Sequence, residues 1–114
     1  MRTVQQVTAA QFAQWRDAQA PRQPLVLDVR EPWEVQTASV RPDGFELLVI
    51  AMGEIPSQLA QLPKDRPIAC LCHHGMRSMQ VARFLVSNGF DHVVNIEGGI
   101  DAWSTQVDST IARY

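Results

Sequence analysis

The stretch ACLCHHGMRS, residues 69–78, gathers the most reactive side chains of the sequence: both cysteines (Cys70 and Cys72), two consecutive histidines (His73 and His74), Gly75 and Arg77. Such a set can hold a metal, form a disulfide, or carry one nucleophilic thiol. Cys70 and Cys72 are too close in sequence for an ordinary structural bridge, and a reducing compartment disfavours one in any case. A metal site could recruit Cys70, Cys72, His73, His74 and His92. Their spacing matches neither C-x2-C nor H-x3–5-H, however, and consecutive residues seldom ligate one tetrahedral ion, so no metal is expected. The remaining chemistry is a single thiol in a loop of backbone donors.

The elements around this stretch decide which thiol that is. IACL has the composition of a short buried strand, whereas RSMQVARFLVSNGF has apolar residues at helical spacing (Met79, Ala82 and Val86, with Leu85 beside them) and a left-handed stop at Asn88-Gly89. Cys72 therefore falls at the carboxyl end of a strand, where open α/β sheets place their ligands. The loop after it delivers Arg77 and Ser78 to a helix start, where free N–H groups and the positive end of the dipole favour an anion. A thiolate in such a setting, near a guanidinium, commonly has a pKa lowered to roughly 3.5–7.5, which makes Cys72 the expected nucleophile at neutral pH. Gly75 allows the tight turn that brings loop N–H groups inward. Cys70 shares a strand face with Cys72 but lies one repeat deeper, as a small buried hydrophobe. His73 and His74 are expected at the rim, with their backbone facing the anion, and His92 at a strand entrance.

The rest of the chain supplies a frame. PLVLDV (24–29), FELLVI (45–50), PIACLC (67–72) and HVVNI (92–96) are candidate buried strands, and TVQQV (3–7) is a candidate edge strand because its centre is polar. Between them lie helical patterns. Thr8 is placed to cap AAQFAQWRDAQ, with Phe12 and Trp15 on one face. GEIPSQLAQLP carries Ile55, Leu59 and Leu62 at helical spacing, and IDAWSTQV comes after Glu97-Gly98-Gly99. Strands alternating with helices imply an α/β fold with a parallel sheet covered by helices.

Composition narrows the function classes. The 114 residues, 46% hydrophobic and 19% charged, suit one compact domain spanning 1–114, without repeats or linkers. A net charge of −2 and a single lysine, Lys64, give no basic stripe, so nucleic acid is not an expected partner. The sequence has neither an 18-residue apolar run nor a signal-peptide pattern at its N-terminus, so no membrane association and a cytoplasmic location are expected.

Three blocks in order, VLDVREPWE (26–34), CHHGMRS (72–78) and NIEGGIDAW (95–103), resemble the single-domain rhodanese (thiosulfate sulfurtransferase) family from about residue 5 onward. The resemblance implies a rhodanese-like α/β fold: a five-stranded, mostly parallel sheet flanked by helices on both faces. It also implies a Cys72 persulfide, with residues 72–77 as the substrate cradle. Matched position by position, Cys72 is the nucleophile and Arg77 closes the loop. The amides of His73, His74, Gly75, Met76, Arg77 and Ser78 solvate the transferred sulfur. Asp28 and Arg30 match a strand-end D-x-R that supports neighbouring loops. No cofactor is implied. The partners are a small anionic sulfur donor such as thiosulfate and an acceptor that is cyanide, a thiol or a protein. One departure is that ASVRPDGFE, without histidine, stands where many members carry GHIPGA.

Two alternatives use the same residues. Phosphatases and arsenate reductases also pair a strand-end cysteine with a helix-start arginine, but as C-x5-R; here the spacing is C-x4-R, a tighter ring suited to one sulfur atom. A non-catalytic interaction module of this architecture usually lacks the cysteine, which is present here. Near the mouth, Met76 and Trp33 are expected mainly as packing residues.

Overall fold

The computed structural model describes residues 3–114; Met1 and Arg2, which belong to the N-terminal stretch and to the expected 1–114 domain, lie outside the described residues. Strands β1 (Gln5–Thr8), β2 (Leu25–Asp28), β3 (Glu46–Val49), β4 (Ile68–Leu71) and β5 (Val93–Glu97) form one sheet in the order β1-β5-β4-β2-β3. Every pairing in it is parallel. Helices α1 (Phe12–Ala18), α2 (Pro32–Thr37), α3 (Ile55–Gln58), α4 (Met76–Ser87) and α5 (Gly99–Gln106) connect and cover the strands.

Strand alternation sorts the core into two layers. On one face, Val26, Ala69, Leu71, Val94 and Ile96 pack with Phe12 of α1 and with Ile100 and Trp103 of α5. Phe12 is the hub there, with ring centroids 4.8 Å from Trp103, 5.2 Å from Phe45 and 5.6 Å from Trp15. On the other face, Leu25, Leu27, Ile68, Cys70 and Cys72 pack with Ile55 of α3 and with Val81, Ala82 and Leu85 of α4. Strand β4 lies at the centre of the sheet, between β5 and β2, so the loop leaving its last residue is flanked by two strand ends.

Four local expectations need correction. Helix α1 begins at Phe12 rather than directly after Thr8, because Thr8 ends β1. Its hydroxyl instead closes a turn by accepting from the Gln11 N–H at 3.1 Å. FELLVI is not a buried strand: β3 is a sheet edge, with Glu46 and Val49 exposed. GEIPSQLAQLP is not one helix but a single α turn between 3-10 turns at Met52–Glu54 and Leu59–Gln61, because Gln58 (φ −100°, ψ 2°) leaves helical geometry. The buried stripe of α4 is Ser78, Val81, Ala82 and Leu85, turned by one position from the face that Met79 and Val86 define. Ser78 displaces the apolar reading because a buried serine is invisible to hydrophobic periodicity.

Candidate active site

Cys72 directly succeeds β4, and the loop it begins is held between two helix starts. At α5, the N–H of Ile100 donates to the Cys72 carbonyl (2.9 Å) and that of Asp101 to the His73 carbonyl (3.1 Å). Two otherwise unpaired donors of the first helical turn are thereby satisfied. Gly99, at φ +61°, makes this approach possible, since a Cβ there would collide with the Cys72 and His73 carbonyl groups. The glycine pair after β5 thus serves the loop after β4.

At the other helix start, Gly75 caps α4 at φ +101°, and its N–H donates to the Cys72 Sγ at 3.1 Å. A side chain at Gly75 would press on the Gly98 nitrogen, 3.1 Å from an ideal Cβ. The sulfur also lies 3.3 Å from the Ser78 hydroxyl, at the N-terminal turn of α4. Cys72 is only 1% exposed and belongs to a core layer, deeper than its description as a loop residue suggests. Cys70, wholly buried behind it, has its thiol pKa pushed far up by desolvation and, secondarily, by the neighbouring Cys72.

Ser78 and Asn95 are both fully enclosed. The Ser78 hydroxyl lies 2.5 Å from the Asn95 Oδ1, while the Asn95 Nδ2 donates to the Gly75 carbonyl (3.2 Å) and to the Gln6 Oε1 (3.1 Å). Asn95 therefore ties β5 to the cysteine loop.

Arg77 does not turn its guanidinium to the sulfur. Its two terminal nitrogens each donate to one Glu34 carboxylate oxygen at 2.8 Å. The hydrogen bonds from Arg77 hold the Glu34 carboxyl down to about 2 against the opposing effect of burial, and Glu34 in turn raises Arg77. Glu34 also accepts from the Tyr114 hydroxyl (2.9 Å) and closes a capping box with Glu31 at the start of α2. Tyr114 accepts from Arg30 at 2.9 Å. Arg30 is completely buried against Asp28, with a shortest contact of 2.7 Å, and donates to the carbonyls of Glu34 and Ala38. Asp28 and Arg30 thus anchor α2, and α2 holds Arg77 through Glu34.

The histidines form a stack rather than a free rim. The His73 ring lies between His74 and Tyr114, with centroids 3.9 Å from each. Burial, with a contribution from His74, lowers the pKa of His73, and its Nε2 has no hydrogen-bond partner. His73, His74 and Asp101 bring three possible ligand atoms within 4.8 Å of one another. Imidazole lone pairs lie in the ring planes, which stand 26° apart, and Arg113 already pairs with Asp101 at 2.9 Å.

Met76 and Trp33, expected as packing residues, are 74% and 61% exposed. Trp33 rests edge-on against Tyr114 (6.0 Å). Met76 lines a groove of about 300 Å³ beside the loop, together with Gln6, His74, Gly75, Arg83 and Gly98.

Three site residues were absent from the sequence-based set. Asn95 had a signal, a lone amide inside the otherwise apolar strand VVNI. Glu34 had one too, as the acidic N3 partner of Glu31 around Pro32. Tyr114 had none, because only the fold brings it to Arg30, Glu34 and His73.

Comparison with known proteins agrees with this architecture. The rhodanese-like domain family matches residues 8–106. A sulfurtransferase of Allochromatium vinosum is 36% identical over 80 residues, covering 70% of this chain and 71% of that protein. Thiosulfate sulfurtransferase GlpE of Vibrio cholerae is 30% identical over 82 residues, covering 72% and 74% respectively. The crystal structure of a rhodanese-related protein from Thermoplasma volcanium superposes with a TM-score of 0.76 at 30% identity, over 90% of this chain and 93% of that one. The sulfurtransferase relatives support sulfur transfer of the rhodanese type in general. With its α/β fold of five parallel strands and a cysteine loop clamped between two helix starts, this chain belongs to the rhodanese-like domain family.

Proposed function

We propose that the chain is a thiosulfate sulfurtransferase that works as a single rhodanese-like domain and carries sulfur on Cys72. The observation that best supports this reading is the setting of the sulfur, at a strand end, accepting the Gly75 N–H at the start of α4. The thiolate attacks the outer sulfur of thiosulfate, a donor suggested by the name of the Vibrio cholerae relative. A Cys72–sulfur bond forms while the S–S bond of thiosulfate breaks, its electron pair leaving with sulfite. Cys72 is left as a persulfide anion, and charge is conserved. A nucleophile such as cyanide then takes the outer sulfur as thiocyanate and returns the thiolate. The Gly75 N–H supports the negative sulfur through both steps, and no cofactor is needed.

In this reading Arg77 is a positioning residue, because Glu34 occupies both of its terminal nitrogens. The same pairing argues against a phosphatase, which needs a free guanidinium to fork onto phosphate. Asp28 and Arg30 support α2, and the carbonyl and amide groups of His73, Gly75 and Ser78 shape the cradle. The acceptor in the cell is a thiol or a protein, in a reducing cytoplasm that keeps Cys72 free. Among the described residues no helix is long and apolar enough to cross a membrane.

Intact-protein mass spectrometry after thiosulfate treatment tests the proposal. The protein gains one sulfur atom, cyanide removes it, and Cys72→Ser does not acquire it. Sulfur uptake by Cys72→Ser, or rapid hydrolysis of an aryl phosphate without cyanolysis of thiosulfate, overturns it.

A further inference from the structure

The Ser78 hydroxyl has two neighbours and one proton. Cys72 Sγ lies 3.3 Å from it and Asn95 Oδ1 lies 2.5 Å from it. The orientation of the Asn95 amide is fixed by the Gly75 carbonyl, which can only accept and faces Nδ2; Gln6 Oε1 accepts from the same nitrogen. Oδ1 is therefore the atom turned to Ser78, and it too can only accept. The hydroxyl proton lies on the line to Asn95, and Ser78 presents a lone pair to the sulfur. A lone pair accepts from a protonated thiol but does nothing for a thiolate. To solvate an anionic sulfur the hydroxyl must rotate and abandon Asn95, with both residues buried away from bulk solvent.

We infer that Asn95, acting through Ser78, competes with the Cys72 sulfur for a single hydroxyl proton and so sets how readily that sulfur carries negative charge. Asn95 is then a positioning residue on β5, and Ser78 is the group that passes its effect to the sulfur. The inference deepens the reading of Cys72 as the sulfur carrier and rests on it.

Other charges surround the site. His73 and His74 stand on the loop itself, Cys70 on β4, Arg77 on α4, Asp101 on α5 and Glu97 on β5. Asp28 and Arg30, at the end of β2, are paired with each other, and Glu34 of α2 is paired with Arg77. Arg77 and Cys70 interact electrostatically with Cys72. Substitutions at Asn95 and Ser78 remove none of these charges.

The test is a pH titration of thiolate ultraviolet absorbance, with Cys72→Ser as the blank, so that no sulfur transfer is needed. Asn95→Leu, of similar size but unable to accept, frees the hydroxyl and moves the Cys72 midpoint down by about half to one pH unit. Ser78→Ala removes the donor and moves it up. Ser78→Thr, which keeps a hydroxyl, restores it. In the Ser78→Ala background, Asn95→Leu no longer lowers the midpoint, because its route to the sulfur is gone. An unchanged or raised midpoint in Asn95→Leu, or an equal downward shift with and without Ser78, overturns the inference. Wild-type protein that titrates at Cys72 but takes up no sulfur from thiosulfate refutes the sulfur-carrier reading and leaves this measurement standing.

Discussion

Arg77 and Glu34 meet through two parallel hydrogen bonds, each 2.8 Å long, that join the start of α4 to the start of α2. The pair is mostly shielded from solvent on the carboxylate side, so it fixes where the cysteine loop ends. Forked guanidinium–carboxylate contacts add geometric specificity as well as energy.

Replacing that carboxylate tests its contribution. Glu34→Gln is expected to lower stability by about 2–3 kcal/mol near neutral pH, the scale set by a carboxyl held down to about 2 from an ordinary value of 4.5. The sign comes from the lowered folded-state value: the contribution is complete above pH 4.5 and vanishes as pH falls through about 2. Denaturant titrations of both proteins from pH 7 downward should show the gap closing over that interval.

His73 gives a second pH signature. Burial favours its neutral form in the fold, so the unfolded chain binds a proton more readily, and stability declines as pH drops below 6.5. His73→Phe keeps the stack with Tyr114 and His74 but removes the titration. Thermal unfolding between pH 7 and pH 5 should therefore be flatter in this variant.

Gly99→Ala should damage the loop from a distance. Its Cβ would strike the Cys72 and His73 carbonyls at a positive φ, so relief requires α5 to withdraw. A loss of more than about 2 kcal/mol in equilibrium unfolding, with slower sulfur uptake by the folded fraction, is the expected result.

The two cysteines should separate cleanly. Cys70→Ala leaves a small cavity in a sealed core layer and is expected to cost about 1–2 kcal/mol while retaining full sulfur loading by mass. Cys72→Ser loses the loading. Its new hydroxyl can still accept from Gly75, which limits the cost of placing a polar atom in that layer.

How much of the fold was legible in the sequence depends on the range of each signal. Strand order along the chain, the strand-end position of Cys72 and a helix start within one residue of Arg77 depend on local periodicity and glycine placement, and these are written in neighbouring residues. Exposure is not. FELLVI has the composition of a central strand, and only the pairing of β3 with β2 alone makes it an edge. The role of Arg77 also escaped, because a cation at a helix start beside a cysteine suggests an anion site until Glu34, 43 residues earlier, is seen to occupy it. Asn95 and Tyr114 reach the site through contacts that span the sheet and the chain terminus.

The depth of Cys72 bears on how the protein survives between turnovers. At 1% exposure the bare sulfur is shut off from broad reagents, and stepwise oxidation of cysteine tracks accessibility. That enclosure stands against bulky reagents such as glutathione disulfide or a second protein's cystine. On the proposed sulfur-carrier reading, a transferred sulfur extends one S–S bond of about 2.05 Å beyond the Cys72 Sγ. On that same reading, oxidation is a hazard of the sulfur-loaded protein more than of the resting one, whose thiol is buried.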